Sequence, residues 1–453
     1  MNYTVYHCHT DLSNATAGVD SVNKVEDYAK RASELGMTSL AISEHGNVLN
    51  WRHKKDVIES YGLKYIHACE FYITENKDGE DKYRDNYHIL LIARNWDGVK
   101  EINKLTTASF NRNDFHYYYA PRISVEELMG TSDNIIVTSA CLGSPLSRGD
   151  DALKKKIIKF FASNKDRCYL EIQHHDSDEQ RKYNQWLYKA SQTIGVSLIA
   201  GTDTHALDDN SASARKLLQK AKGIEYDDAA EFNLTFKSYE ELVEAYRKQD
   251  ALPMDIVLEA IENTNRMSDM VEAFEVDTSY KYPKLYDNSE EVLKEKLKQG
   301  IKEKGIDKLP NKQEYIDRIA YELEAIRHNG AIDFFLLEEW YKREMRKVGV
   351  IPGYSRGSCS GSIICYLLGI TDIDAVYHNT NFDRFMSTAR VSLADIDSDW
   401  ESSQRNIVKD FLYTQDNLYC CDVVTFNSLQ LKAAIKEVAR ALDMPYDEVN
   451  AIT

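Results

Sequence analysis

The chain has 453 residues, a length that suits about three domains, each able to bury a core of its own. Its 56 Lys and Arg residues against 73 Asp and Glu residues give a net charge of −17, which argues more strongly against a simple nucleic-acid-binding module than against a metal-dependent enzyme of nucleotides. Hydrophobic residues make up 43% of the chain and only 7 residues are Pro, so long disordered tracts are excluded.

The cysteine pattern and the start of the chain bear on location. The eight cysteines form no Cys-x-x-Cys pair, which is typical of reduced thiols in a cytosolic-type compartment. The first residues, Met-Asn-Tyr-Thr-Val, have neither the basic nor the apolar part of a signal peptide, and no eighteen apolar residues run together. We therefore expect a cytoplasmic protein without membrane contact.

Residues 3–201 alternate between apolar runs typical of strands and amphipathic runs typical of helices. Strands are predicted at residues 3–9, 38–43, 64–73, 87–93, 134–139, 168–173 and 197–201. Ten of the twelve histidines precede residue 206, and most candidate ligands lie at or just after the ends of predicted strands. His, Cys, Asp and Glu at the carboxyl rim of a (β/α) barrel would suit more than one divalent metal.

Taken singly, these side chains have ordinary structural explanations, since a lone His or Cys is often a packed core residue. His53, His67 and His116 are interpreted in that way. The joint occurrence of ligand-type residues at five separate strand ends is what favours a metal site.

Helical periodicity continues over residues 206–277, and an extended linker is predicted at 280–285, where Pro283 disfavours helix at Tyr282. Further helices are predicted at 288–304, 312–328 and 334–348. The last of these carries Lys342, Arg343, Arg346 and Lys347, which could meet DNA phosphates or form an ordinary solvated helix face.

Residues 353–400 combine two features that suit phosphate chemistry. A Gly/Ser-rich turn around Arg356 runs into an apolar segment predicted as a helix, and uncovered N–H groups at such a helix start can hold phosphate oxygens. Asp395 and Asp397 alternate with Ile396, which on a strand places both carboxylates on one face, where their repulsion calls for a divalent cation. Each half alone is common in ordinary turns; together they are the minimal set for nucleotidyl transfer.

The order of motifs in this segment resembles the catalytic segment of the bacterial replicative DNA polymerases of family C, the polymerase III alpha-subunit type. The resemblance covers residues 356–362, 368–372, 381–385, 390–392 and 395–397. It implies that Asp395 and Asp397 hold catalytic Mg²⁺. It implies nucleotide contacts from Arg356, Gly357, Ser358, Gly361, Ser362 and Arg390. The sequence departs from the family pattern at Tyr354-Ser355, Leu393-Ala394 and Trp400, none of which removes a required charge.

The first part of the chain resembles the PHP (polymerase and histidinol phosphatase) domain that begins these polymerases, on residues 7–13, 42–47, 70–72, 88–93, 139–143 and 202–205. The resemblance implies a distorted seven-stranded barrel with a Zn²⁺ or Mn²⁺ cluster, and metal-dependent phosphoester hydrolysis of the 3′–5′ exonuclease type. The implied metal ligands are His7, His9, His45, Glu70, His88, Cys141, Asp203 and His205. One further ligand of the family falls at residues 14–17, where no side chain ligates well, so that subsite depends on Asp11 or Asp20.

The predicted architecture is α/β: a distorted (β/α)7 barrel over residues 1–280, a partial α+β polymerase palm over 281–418 and the start of a helical thumb over 419–453. The predicted function is part of a DNA-directed DNA polymerase with a built-in metallophosphoesterase, acting on primer-template DNA and deoxynucleoside triphosphates. Because the family places a third catalytic carboxylate beyond the thumb, we expect a split or truncated form completed by a second polypeptide. A sliding clamp is a further candidate partner. The alternatives are a stand-alone phosphoesterase and a non-catalytic replisome scaffold.

Overall fold

The structure is a computed structural model, and it describes residues 2–77, 85–224, 232–279, 281–389, 393–423, 425 and 429–453. The chain divides into two compact units, Met1–Glu275 with Ser428–Thr453, and Val276–Asn427. The helices of the last 25 residues therefore belong to the first unit. The three predicted domain ranges stay a prediction.

The first unit contains eight strands among its described residues. They are β1 Ser39–Ile42, β2 Lys64–Thr74, β3 Tyr87–Ala93, β4 Tyr117–Tyr118, β5 Ala120–Ser124, β6 Ile135–Thr138, β7 Cys168–Gln173 and β8 Leu198–Gly201. Its helices are α1 Asn14–Ala17, α2 Val25–Glu34, α3 Trp51–Ser60, α4 Trp96–Ser109, α5 Val125–Met129, α6 Pro145–Arg148, α7 Asp151–Ser163, α8 Asp178–Ile194, α9 Asp209–Ala221, α10 Tyr239–Gln249 and α11 Met254–Asp269, with α17 Leu431–Ala441 and α18 Tyr446–Ile452 from the end of the chain.

The sheet closes into a distorted barrel through the first residues of the chain. β1 and β2 pair in parallel, β2, β3 and β6 pair antiparallel in that order, and β6, β7 and β8 pair in parallel. Isolated parallel bridges join Val5 to Leu40 and Cys8 to Thr204. The N-terminal segment thus lies between β1 and the end of β8, which gives seven members around the ring and confirms the predicted fold class. The predicted strand at residues 3–9 is present only as these bridges.

The two faces of the strands enter different cores, because side chains of a strand alternate between its faces. On β3, Ile89 and Leu91 join a large cluster with the surrounding helices, whereas Leu90 and Ile92 join a smaller one with Ala68 of β2. Both faces are buried, as expected for strands inside a barrel covered by helices. Glu70 and His88 have the same parity as the smaller cluster, so the alternation directs both side chains to the barrel interior.

The second unit is mainly helical. Its helices are α12 Ser289–Glu303, α13 Lys312–His328, α14 Ile332–Lys347, α15 Ile363–Leu367 and α16 Arg405–Tyr413. An antiparallel bridge joins Pro352 to Trp400. No helix in the described ranges combines the length and the apolar character needed to cross a bilayer.

The segment around the aspartate pair is not a strand, because residues 393–399 have no regular structure. A strand needs a neighbour for its backbone groups, and here the N–H of Ala394 instead donates to the Tyr282 hydroxyl, at 2.9 Å. The alternation of sides persists: Asp395 and Asp397 are exposed, and Ile396 packs against the core of the second unit.

Candidate metal centre and glycine turn

Eight buried or nearly buried side chains of the first unit form three overlapping groups that could each hold a metal ion. Within each group the ligand atoms lie within 4.8 Å of one another. The groups are His9, Asp20, His45 and His205; His7, His9, Glu70 and Asp203; and His45, Glu70 and His88. Each pair of groups shares one residue, so ions bound in all three would form a single cluster.

The Glu70 carboxylate joins two of the groups. Its Oε2 lies 3.3 Å from Nε2 of His7, 3.3 Å from Nε2 of His9 and 3.0 Å from Nδ1 of His45, and its Oε1 lies 2.9 Å from Nδ1 of His88. Glu70 is fully buried. A carboxylate that faces four imidazoles inside a protein is well placed to bridge cations.

Asp20 supplies the ligand that the sequence left open. Its Oδ1 lies 3.2 Å from Nε2 of His205 and its Oδ2 lies 3.6 Å from Nε2 of His45. The loop that brings it there is shaped by Asn14, whose side-chain oxygen accepts hydrogen bonds from the backbone N–H groups of Asp20 and Ser21. Asp20 thus lies among the candidate ligands, whereas Asp11 belongs to none of the three groups.

Hydrogen bonds away from the centre fix which ring nitrogen faces it. His7 donates from Nδ1 to Oε1 of Glu171, at 2.7 Å, and His205 donates from Nδ1 to the backbone carbonyl of Asp203, at 2.7 Å. Both rings therefore turn Nε2 toward the carboxylates. Metal-binding histidines characteristically donate their other N–H in this way.

The tautomer of His9 is set by a longer hydrogen-bond chain. Ser13 Oγ lies 2.6 Å from Oε2 of Glu44, to which it donates its single proton. The same Oγ lies 3.2 Å from Nδ1 of His9, so it must accept the proton of that nitrogen. His9 therefore presents Nε2 to Glu70 and Asp203.

Six buried atoms of the centre have no hydrogen-bond partner among the described residues. They are Nε2 of His7, Nε2 of His9, Oδ2 of Asp20, Nδ1 of His45, Oε2 of Glu70 and Oδ1 of Asp203. A buried polar atom without a partner is costly. Because these atoms face one another, divalent cations among them would satisfy them together, and the residues present fit a metal cluster.

The charges within the centre are strongly coupled. Burial opposes charge on His7, but Glu171 and the other neighbouring carboxylates outweigh it, so the pKa of His7 lies well above its usual range. Burial likewise opposes charge on His9, and the nearby carboxylates of Asp203 and Glu70 raise its pKa to about 10. Burial would raise the pKa of Glu70 and Asp203, yet the facing imidazoles hold both well below the usual range. Both carboxylates are therefore anions and are matched to positive charge, which the facing imidazoles carry when they are protonated.

Cys141 lies next to the third group rather than within it. Its Sγ is 3.4 Å from Nδ1 of His88 and 3.7 Å from Oε1 of Glu70. The close approach of the His88 ring depends on Gly143, where a Cβ atom would lie 2.8 Å from Cγ of His88. The structure thus brings seven of the eight predicted ligands into the three groups and places the eighth beside them.

The three histidines interpreted as structural have other partners. His53 is exposed and lies 2.9 Å from Glu26, and His116 lies 2.7 Å from Asp114 and 2.9 Å from Glu127. His67 is fully buried between Tyr65 and Asn103, at 2.8 and 3.0 Å. None of them belongs to the ligand groups found in the described ranges.

His67 makes the stability of the first unit sensitive to acid. Burial lowers its pKa to about 3, against about 6.5 in the unfolded chain. Below pH 6.5 the unfolded state therefore binds more protons, so stability that is present above pH 6.5 is lost as pH falls toward 3. We expect His67→Gln to remove roughly 2–3 kcal/mol of the loss between pH 7 and pH 4.5, measured by chemical denaturation at both values. The exposed His53→Gln should behave as wild type; the same acid loss in His67→Gln and wild type would contradict this assignment.

The glycine turn of the second unit lies beside one of the predicted catalytic aspartates. Gly357 has φ of +67°, in the left-handed region that favours glycine, and a Cβ atom there would lie 2.5 Å from Oδ2 of Asp397. The turn, Gly357–Gly361, borders a cavity of about 430 Å³. The cavity is lined by Gly357, Ser358, Ser360, Gly361, Thr380, Asn381 and Arg384.

The helix start after the turn is not uncovered, which corrects the expectation from sequence. The N–H groups of Ile363 and Ile364 donate to the Glu322 carboxylate, at 2.9 and 3.1 Å. Ser362 Oγ also donates to Glu322, at 2.7 Å, and accepts from the N–H of Cys365. The Glu322 carboxylate thus occupies the helix start, and Ser362 faces it instead of the cavity. The 3₁₀ turn Gly357–Gly361 is then the part of this segment that is available to contact a phosphate.

The predicted arginines are placed differently from one another. Arg356 pairs with Asp399, Nη1 to Oδ1 at 2.7 Å, and does not line the cavity. Arg390 lies outside the described residues. Arg384, which the site prediction did not include, lines the cavity. The sequence prediction also missed Asp399, although it continues the alternation of Asp395 and Asp397, and Glu322, which no local motif marks.

The basic residues of α14 are occupied by ion pairs, which favours the explanation as an ordinary helix face. Lys342 is buried against Glu338 at 3.1 Å, Arg343 lies 2.6 Å from Glu339, and Lys347 lies 2.8 Å from Glu344. Arg346 lies 4.0 Å from Asp372. The lysine and arginine charges are thus largely matched by carboxylates.

Two family models match different parts of the chain. Residues 6–175 match the family model of the PHP domain, and residues 291–453 match that of the bacterial DNA polymerase III alpha NTPase domain. The solved structure of an amidohydrolase from Chromobacterium violaceum has a TM-score of 0.30 and 12% identity, covering 46% of this chain and 89% of that one. The match to the PHP family model lies within the first unit, and the PHP domain is a metal-dependent phosphoesterase fold.

Relatives match almost the whole of this chain. DNA polymerase III subunit alpha of Helicobacter pylori is 29% identical over 487 residues, and those of Borreliella burgdorferi and Aquifex aeolicus are 30% identical over 466 and 486 residues. These alignments cover 98–99% of this chain and 39–40% of each relative. Over nearly its whole length the chain is similar to these bacterial DNA polymerase III alpha subunits, and it spans about two fifths of their length.

Proposed function

We propose that the first unit is a phosphoesterase centre that holds Zn²⁺ or Mn²⁺ and acts as a 3′–5′ exonuclease. The observation that carries this proposal is the set of buried, unpaired ligand atoms that face one another across the three groups. Imidazole, thiol and carboxylate ligands together suit these two ions. Bound there, such ions lower the pKa of a coordinated water and neutralise phosphate charge.

The protein contributes rigid placement of the ligands. Glu171 holds His7 in the tautomer with Nε2 free, and Thr138 and Gln173 fix Glu171 in turn, each donating at 2.8 Å. Glu44 acts on His9 through Ser13, and also accepts from the backbone N–H of Thr10, at 2.9 Å. The ligands are therefore oriented before any ion or substrate binds, so binding costs little further side-chain conformational entropy.

We further propose that the chain forms part of a DNA-directed DNA polymerase. Asp395 and Asp397 would hold Mg²⁺, and Gly357, Ser358 and Gly361, with Arg356 and Arg390, would contact the nucleotide; Ser362 contributes by shaping the turn. The contact between Gly357 and Asp397 supports this proposal, because it places the turn beside a predicted metal ligand. Primer-template DNA and deoxynucleoside triphosphates are the proposed substrates. A second polypeptide, a sliding clamp and a cytoplasmic location remain parts of the proposal.

The match over residues 291–453 favours this function over a stand-alone phosphoesterase, which needs no such segment. A replisome scaffold without catalysis remains the other alternative. It differs from the proposal in one measurable property, since a scaffold does not need bound metal.

The decisive experiment compares wild type with the double variant His7→Ala, His9→Ala. We expect purified wild type to contain divalent metal by elemental analysis, and to shorten a 3′-mismatched primer when Mn²⁺ or Zn²⁺ is added. The double variant should lose both properties, because these rings contribute to two of the three groups.

His53→Ala is the matched control, since this histidine is exposed and belongs to no ligand group. It should keep the metal and the activity of wild type. Wild type that binds no metal would support the scaffold. Metal-containing wild type that cleaves neither the primer nor a generic phosphodiester would show that the cluster is structural.

A further inference from the structure

The ligand groups open onto a cavity of about 200 Å³. Its lining includes six candidate ligands: Asp20, His45, His88, Cys141, Asp203 and His205. Five other polar side chains line the same cavity: Arg148, Gln173, His175, Gln180 and Arg215. Since these five belong to no ligand group, each is available to bind a substrate unless it already forms hydrogen bonds with other groups of the protein.

Three of the five are held by neighbouring protein groups. Gln173 donates to Glu171 at 2.8 Å, and Gln180 donates to Asn184 at 2.9 Å. Arg215 donates to the backbone carbonyl of Asp20. Their positions are explained by the architecture of the centre, which leaves His175 and Arg148.

His175 is buried without a partner. Its side chain is 3% exposed, and neither ring nitrogen has a hydrogen-bond partner among the described residues. The ring lies against Phe232 and His174, with centroids 4.7 Å apart in both cases. An imidazole that lines a metal-centre cavity with both nitrogens unsatisfied is suited to bind something that enters the cavity.

Arg148 is exposed at the end of α6 and, in the part of the chain that the structure describes, forms no ion pair. The helix is anchored close to the centre, because it follows the loop of Cys141 and Gly143. Ser144 caps it by accepting from the N–H of Leu146, at 3.2 Å. A guanidinium is the side chain best matched to phosphate oxygens, which it binds through two parallel N–H groups.

A second cavity, of about 590 Å³, meets the first at His175. Its charged lining has five carboxylates, Asp176, Asp209, Glu240, Glu241 and Glu244, and two lysines, Lys237 and Lys248. This excess of negative charge disfavours the phosphates of a polyanion. A nucleic-acid strand therefore has an unfavourable path through the second cavity and a favourable one past Arg148.

We infer that Arg148 and His175 form a phosphate-binding subsite beside the metal centre, and that a nucleic-acid strand reaches the centre from the side of Arg148. Phosphate oxygens accept hydrogen bonds from the Arg148 guanidinium and from one ring N–H of His175. This inference rests on the proposed phosphoesterase function. It narrows the substrate class to phosphoesters in single nucleic-acid strands that can reach the metal centre without passing through the acidic cavity.

The first test measures binding of inorganic phosphate to the Mn²⁺-loaded full chain by titration calorimetry. Arg148→Gln and His175→Gln should each weaken binding by about 10-fold or more, with metal content and melting temperature as in wild type. Arg148→Lys should restore part of the affinity, since it keeps the charge and loses the paired donors. Lys155→Gln, the same loss of charge on an exposed residue of α7, should bind phosphate as wild type. Unchanged affinity in both glutamine variants, or no phosphate binding by wild type, overturns the subsite.

The second test separates the subsite from the proposed function. With a single-stranded oligonucleotide, Arg148→Gln should raise KM by about 10-fold, and Glu240→Gln in the acidic cavity should leave KM unchanged. A lower KM in Glu240→Gln shows that the strand runs through that cavity and overturns the inferred direction. Phosphate binding that depends on Arg148 in a chain that hydrolyses nothing refutes the proposed function and leaves the subsite standing. Hydrolysis with the same KM in wild type and in both variants refutes the subsite and leaves the proposed function standing.

Discussion

Replacing Lys54 by methionine is expected to lower the free energy of unfolding of the first unit by about 3–5 kcal/mol. Both Lys54 and Glu44 are buried, and Nζ lies 2.6 Å from Oε1 of Glu44. Removing one partner of a buried ion pair leaves the other charge without compensation, which costs more than the pair itself contributes. The loss should be measured by denaturant titration at pH 7. Because Glu44 also orients His9 through Ser13, metal affinity should fall as well.

The neighbouring lysine provides a matched control. Lys55 has the same charge on the same helix, but its partner Glu59 is partly exposed, with Nζ to Oε2 at 2.6 Å. We expect Lys55→Met to cost about 1 kcal/mol or less, since water can solvate the remaining carboxylate. The double variant Lys54→Met, Glu44→Gln should recover part of the stability, because it removes the uncompensated charge. Equal losses for Lys54→Met and Lys55→Met would contradict the proposed importance of the buried pair.

Replacing Glu322 by alanine is expected to destabilise the second unit by about 2–4 kcal/mol and to loosen the glycine turn. The substitution removes the acceptor of two backbone N–H groups and of the Ser362 hydroxyl, all of them buried. Denaturant titration would give the stability change. Hydrogen exchange at Ile363 and Ile364 would show whether the helix start opens.

Two further variants separate the cap from a general effect of charge. Glu322→Gln keeps an acceptor oxygen in the same place and should lose less stability than Glu322→Ala. Glu324→Ala removes a carboxylate from an exposed position two residues along the same helix and should change stability by less than about 0.5 kcal/mol. Fast exchange at Ile363 in wild type, or equal stability of all three variants, would show that Glu322 does not cap the helix.

The metal centre of the first unit and the aspartate pair of the second unit differ in how well the structure fixes their candidate ligands. The metal centre is built from buried groups whose orientations are fixed by partners outside it, such as Glu171 and Ser13. Asp395 and Asp397 are exposed on an irregular segment, and among the described residues they belong to no group of three potential ligands. Metal binding by the first unit alone is therefore the stronger expectation, and the aspartate pair needs a further ligand to hold an ion with comparable strength.

Sequence patterns located the strands well where the apolar runs are continuous. β3 and β7 have the predicted limits, because Tyr87–Ala93 and Cys168–Gln173 are buried on nearly all sides and so contain few polar interruptions. The short pair β4 and β5 was not predicted. Pro121 within β5 weakens the strand signal, since proline is confined to edges and strand ends.

The sequence by itself determined which residue types are available to ligate metal and predicted two separate regions of phosphate chemistry, because residue types and their order along the chain are enough for that inference. Only the tertiary structure decided that Asp20 completes the centre, that Glu322 closes the helix start, and that His175 and Arg148 border the metal cavity. Each of these depends on groups far apart in sequence meeting in space, such as Asp20 with His205 and Glu322 with Ile363. Spacing along the chain carries no signal for such meetings, since they are fixed by how the barrel closes and how the helices pack.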